Sequence, residues 1–176
     1  MPLWDKMAIY YGYKGAKYTG EELNEAYGRL VAEEKKKVQK KHKNYTVIDI
    51  KIEKVFKKLF DEKGVKATKS EILTICGIFR CYSTVYIKLY DGVIDFLEAL
   101  KKKGKKIYLL SNAQRSFTVP ELKMMGLYDY FDGILISSDH QVSKPDVEFF
   151  DILFKKYKLK KIESVMIGND FISDIS

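Results

Sequence analysis

Soft metal ligands are scarce in this sequence, which holds two cysteines and two histidines in 176 residues. Cys76 and Cys81 lie five positions apart in a stretch of helical periodicity and so fall on different faces. They provide neither a disulfide framework nor a zinc site, and ordinary semi-buried thiols are expected. His42 and His140 stand alone in the sequence; each reads as a surface loop residue, although His140 comes four residues before Lys144. Long apolar runs are missing too: none approaches the roughly 20 residues that cross a bilayer. The opening Met1-Pro2-Leu3-Trp4-Asp5 has no basic-then-apolar layout of a secretory leader. A cytoplasmic protein with no membrane association is the expectation.

Acidic residues are outnumbered, 24 against 32 lysines and arginines, for a formal charge of +8. The excess is mostly lysine, in runs at 35–37 with 40 and 41, at 101–103 with 105 and 106, and between 155 and 161. These runs fall late in predicted helices, where cations complement the dipole, and Gly104 follows one of them as a helix stop. Solvated helix ends explain them, and no specific nucleic-acid partner is expected. A basic binding module stays open as the alternative.

What is present is core material: 46% hydrophobic and 14% aromatic residues, enough for one substantial core with or without a small accessory domain. Residues 1–84 read as a small helical bundle. Thr19-Gly20-Glu21-Glu22 is a capping box, followed by Leu23, Tyr27, Leu30 and Val31 at three-to-four spacing. A second amphipathic run carries Ile52, Val55, Phe56, Leu59 and Phe60 and stops at Gly64. A third opens near Ser70 with Ile72, Ile75, Ile78 and Phe79 inward.

Residues 85–176 read as strands and helices in alternation, which predicts a Rossmann-like α/β layer with a parallel sheet and flanking helices. Asp91 is placed to cap a helix bearing Val93, Phe96, Leu97 and Leu100, and Thr118-Val119-Pro120-Glu121 to start the next. Pro145 suits the first turn of a third, with Val147, Phe150, Leu153, Phe154 and Tyr157 inward. Strands are predicted at 107–110, 133–137 and 164–168. Ligands in such sheets bind beyond the carboxyl ends of the strands, and a polar signature follows each one.

The first signature is Ser111-Asn112, a hydroxyl with free backbone N–H groups that can hold phosphate oxygens, or a simple turn. In the second, Lys144 precedes Pro145 at a helix start, so that ammonium and helix N-terminus make an anion cradle. The third, Gly168-Asn169-Asp170 with Asp174, sets two carboxylates at a strand end, where they are costly unless hydrated, paired or bound to a hard cation such as Mg²⁺. Hydroxyl, lysine and paired acids together suggest a phosphate and metal site.

Their order resembles the second, third and fourth motifs of the haloacid dehalogenase-like (HAD) hydrolases, in the subfamily with a helical cap between motifs one and two. Tyr130-Phe131-Asp132, Ser137-Ser138-Asp139 and Ser143-Lys144-Pro145-Asp146 are similar to that family's connecting text. The resemblance implies a cap at 1–84, a core at 85–176, and a Mg²⁺-dependent phosphatase acting on a small phosphate monoester through an aspartyl-phosphate. It makes Ser111 and Asn112 phosphate-binding, Lys144 catalytic and phosphate-binding, and Asp170 and Asp174 metal-binding. Departures are Gly168-Asn169-Asp170 in place of Gly-Asp, Gln141 where a glycine is common, and Asp91 where a proline often stands.

The family's nucleophile lies in an Asp-x-Asp after an opening strand, and no Asp-x-Asp occurs here. Asp5 has no strand before it. Asp49 follows the strand-like Tyr45-Thr46-Val47-Ile48, but Lys51 occupies the second acid position. The expectation is therefore a fragment lacking motif one and the family's C-terminal end, with a gap beside the strand that ends at Ser111, and inactive by itself. A dehalogenase-type hydrolase and a non-catalytic remnant remain as other readings.

Overall fold

A computed structural model describes residues 2–175. It is mostly helical with a small parallel sheet, an α/β arrangement. Contacts divide the chain into two units, residues 1–37 with 51–87 and residues 38–50 with 88–176. The stretch 38–50, inside the run read from sequence as one helical domain, belongs with the second unit.

The first unit comprises α1 (Leu3–Tyr13), α2 (Gly20–Lys41) as far as Lys37, α3 (Ile52–Asp61) and α4 (Lys69–Ser83). The capping box at α2 forms as the sequence predicts: Thr19 N donates to Glu22 Oε2, and Glu22 N to Thr19 Oγ1. A second box opens α4, where Glu71 N donates to Thr68 Oγ1 and Thr68 N to Glu71 Oε2. The five predicted apolar residues of α3 are all buried. Phe56 and Phe60 sit among Met7, Tyr11, Leu23, Leu59 and Ile75, all fully buried. Tyr11 enters this core because its hydroxyl donates to the Phe56 carbonyl at 3.0 Å, leaving no polar atom orphaned. Glu34 is buried as well, and accepts from both Lys54 and Lys58 at 3.0 Å.

The second unit carries α5 (Val93–Lys102), β1 (Tyr108–Ser111), α6 (Arg115–Met124), β2 (Gly133–Ile136), α7 (Ser137–His140) and α8 (Val147–Tyr157). β1 and β2 pair in parallel from Tyr108 with Gly133 to Ser111 with Ile136, so both strands end at one level. Leu110, Leu135, Val142, Phe149 and Leu153 form one core cluster, and Leu97, Leu122 and Leu127 another. Gly133 has no room for a side chain, because the Tyr157 ring fills the space of a Cβ. Residues 45–50 run antiparallel to the loop after α7: Ile48 bridges Val142, Ser143 N donates to Val47 O, and Asp49 N donates to Gln141 O.

Four local expectations are corrected. Residues 164–168 are not a strand; Val165 is 87% and Ile167 68% exposed. An isolated strand leaves its N–H and C=O groups unpaired, and among the described residues the sheet ends at β1. Asp91 does not cap α5, since Gly92 occupies the N-cap with a left-handed φ of 79°. α6 begins at Arg115, so Pro120 lies inside it rather than at its start. Pro145 precedes α8, whose N-cap is Asp146 with its carboxylate accepting from Glu148 N.

Candidate phosphate and metal site

Ser111 ends β1, and the next residue ties that strand end to the lysine loop. Asn112 Nδ2 donates to Lys144 O at 2.9 Å, and Lys144 N donates to Asn112 Oδ1 at 2.8 Å. This two-point clamp uses donor and acceptor of one amide, so it fixes the Lys144 backbone relative to Ser111. The turn beyond is held by two buried hydroxyls: Ala113 N donates to Ser137 Oγ at 2.8 Å and Arg115 N to Ser138 Oγ at 3.1 Å.

Lys144 extends its ammonium to Asp174 Oδ1 at 2.5 Å, with both side chains more than nine-tenths buried. Asp174 Oδ2 accepts from Asp170 N at 3.2 Å, and Asp170 Oδ1 accepts from Ser173 N at 2.7 Å. Residues 171–175 form a single wide turn that brings the two acids together. Gly168 is required beside them, because a Cβ there would fall on the Asp174 carboxylate. The Lys144 ammonium is the chief reason the Asp174 carboxyl lies below the usual range, outweighing the opposing effect of burial. The Ser173 N–H does the same for Asp170.

Lys144, Asp170 and Asp174 are thus gathered from two loops, with Ser111 and Asn112 clamped alongside. One expected feature is absent: the N-terminus of α8 is taken by the Asp146 carboxylate, so that end of the helix does not share an anion with Lys144. Asp146 also accepts from Thr46 N at 2.6 Å, Thr46 Oγ1 at 3.0 Å and Val47 N at 3.3 Å. It anchors the 45–50 segment two residues from Lys144.

Asp49 is placed elsewhere in the same loops. Its Oδ2 accepts from Ser137 Oγ at 2.5 Å, and its Oδ1 from Ile50 N at 2.7 Å and Gln114 Nε2 at 3.1 Å. Both oxygens are engaged in positioning bonds. Sequence reasoning missed these ties of Ser137, Ser138, Asp146 and Asp49. Only Asp146 carried a readable signal, an acid ahead of an apolar helical run.

The donor set limits the metal it can hold. Among the described residues no group of three His, Cys, Asp or Glu surrounds a common point. Two carboxylates, one on the exposed Asp170, fit Mg²⁺, which takes one or two carboxylates and keeps several waters.

The family model of the haloacid dehalogenase-like hydrolases matches residues 5–176. The chain belongs to that family. A phosphoglycolate phosphatase of Thiobacillus denitrificans is 40% identical over 63 residues, 36% of this chain and 28% of the relative. A glyceraldehyde 3-phosphate phosphatase of Methanothermobacter thermautotrophicus is 25% identical over 115 residues, 64% of this chain and 51% of the relative. The chain therefore spans about half or less of the length of these relatives. Among solved structures, a HAD phosphatase from Thermococcus onnurineus superposes with a TM-score of 0.55 at 17% identity, covering 98% of this chain and 68% of its own. That likeness concerns the fold.

Proposed function

We propose that these residues are the phosphate- and Mg²⁺-binding part of a phosphatase that acts on small phosphate monoesters. The observation that carries the reading is the gathering of Lys144, Asp170 and Asp174 beside Ser111 and Asn112 at the carboxyl end of β1. Ser111 and the N–H groups after it hold phosphoryl oxygens, and Lys144 neutralises the charge that develops on them. Asp170 and Asp174 hold Mg²⁺, whose role when bound is to neutralise charge on the phosphoryl group and align it. Asp174, which pairs with Lys144, and Asp170 are the side chains that would hold the ion. The relatives' substrates, phosphoglycolate and glyceraldehyde 3-phosphate, support a small phosphorylated metabolite as the class. In the mechanism implied by the family, an aspartate carboxylate attacks phosphorus, the P–O bond to the leaving group breaks, and a second acid protonates that oxygen.

Asp49 is not assigned as that nucleophile, since Ser137, Gln114 and Ile50 N occupy its oxygens. The test is Mg²⁺-dependent hydrolysis of p-nitrophenyl phosphate. The 176-residue chain alone is expected to show none. Placing an Asp-x-Asp strand ahead of residue 1 should bring turnover, and Lys144→Ala in that chain should lower it roughly 10²-fold. Turnover by the 176-residue chain that Asp49→Asn abolishes would overturn the assignment.

A further inference from the structure

The lysine run that closes α2 does more than decorate a helix end. Lys40, Lys41, His42, Lys43, Asn44 and Tyr45 line a surface pocket of about 300 Å³ in the second unit. A helix C-terminus carries roughly half a negative charge, which a single cation answers. Three lysines surround this one, and no acidic side chain pairs with them among the described residues. The contrast lies within the same helix, where Glu34 holds both Lys54 and Lys58.

The turn's hydrogen bonding has the same bias. The carbonyl of His42 accepts from Tyr45 N at 3.2 Å, and Gln39 Nε2 donates to the Tyr45 carbonyl at 3.2 Å. The successive N–H groups of Lys43 and Asn44 donate to nothing among the described residues. Consecutive free N–H groups in a turn form an anion-binding concavity. The His42 ring stacks on Tyr45, with centroids 4.6 Å apart and planes 5° from parallel. Its Nε2 is sealed from solvent without a hydrogen-bond partner, a cost of burial that nothing in the turn offsets. Glu148 and Asp146 approach Tyr45, but Asp146 is already saturated by Thr46, Val47 and Glu148.

We propose that the Lys40–Tyr45 turn is a second anion site, built for a tetrahedral oxyanion: inorganic phosphate or the phosphate group of a small molecule. It is separate from the Ser111–Lys144 site. It is joined to it, however, since Tyr45 leads directly into Thr46 and Val47, which Asp146 anchors two residues from Lys144. An oxyanion in the turn therefore braces the loop that carries Lys144.

The test is an amide and imidazole NMR titration of the 176-residue chain with inorganic phosphate, and separately with phenyl phosphate, at constant ionic strength in chloride. Saturable shifts are expected at the Lys43 and Asn44 amides and the His42 ring. The probe with the lower Kd identifies which source the site prefers. The double substitution Lys40→Ala/Lys43→Ala should weaken binding about tenfold or more, as loss of charge-assisted bonds does, while leaving resonances of both core clusters in place. Lys144→Ala should leave the shifts at Lys43 and Asn44 intact, which separates this site from the proposed catalytic one. Shifts that do not saturate, that chloride reproduces, or that survive the double substitution would overturn the proposal.

Discussion

The Lys144–Asp174 pair decides most at the scale of single residues. Both side chains are buried, so deleting the acid strands an ammonium away from water. Asp174→Ala should destabilise the chain by about 3 kcal/mol, seen as a lower urea midpoint at neutral pH. Acid should have a similar effect. The folded-state pKa of Asp174 is depressed by Lys144; that of Asp146 is depressed too, because hydrogen bonds from Glu148, Thr46 and Val47 outweigh its burial. Depressed carboxylates stabilise fully above the ordinary aspartate value of about 4, and that stability is lost as pH falls through the folded values. The urea midpoint should therefore hold from pH 7 to 5 and drop below about pH 4, with a shallower drop in Asp174→Asn; a midpoint flat down to pH 2.5 would contradict the pairing. Gln141 offers the opposite sign. It takes a left-handed φ of 62°, a conformation that favours glycine, so Gln141→Gly should stabilise the chain by about 1 kcal/mol, seen as a higher urea midpoint.

At the scale of elements, two caps can be tested separately. Thr68→Ala removes the acceptor for Glu71 N and should cost about 1 kcal/mol, confined to fraying of α4 in hydrogen exchange. Asp146→Ala removes one carboxylate that serves α8 and the 45–50 segment together, and should cost about 3 kcal/mol. Its exchange signature should appear in both places; an effect limited to α8 would show that the segment is held by other means. The helices were legible because their signals are local: the α3 stripe and the Thr19 box need no knowledge of the rest of the chain. The Thr68 box carried the same Thr-x-x-Glu signal and was there to be read. Strand 164–168 misled because its apolar residues satisfy the pattern, whereas a strand also needs a hydrogen-bonding neighbour, which pattern cannot supply. The site divides likewise. Motif order brought Lys144, Asp170 and Asp174 into view, but the ties from Asp49 to Ser137 and from Thr46 to Asp146 join positions about 90 and 100 apart and leave no local trace.

For the molecule as a whole, the proposed site lies beyond the carboxyl end of β1, where the chain brings Asn112, Lys144, Asp170 and Asp174 together. Val165, Ile167, Phe171 and Ile172 are exposed close in sequence to Asp170 and Asp174, so the segment proposed to hold the metal rests on little apolar packing. Gly168→Ala should displace Asp174, weakening Mg²⁺ binding at least tenfold and lowering the urea midpoint in the same direction as Asp174→Ala, because the displaced carboxylate leaves the buried Lys144 ammonium without its partner. The central claim, that these loops form one phosphate and Mg²⁺ site, predicts that the two ligands bind in a coupled way. The most direct measurement is the affinity for inorganic phosphate, followed at the Ser111 and Asn112 amides, with and without Mg²⁺. Mg²⁺ should tighten phosphate binding by about tenfold, with the gain lost in Asp170→Asn and phosphate binding itself weakened in Lys144→Ala. Equal phosphate affinity with and without Mg²⁺, unchanged by either substitution, would contradict the account.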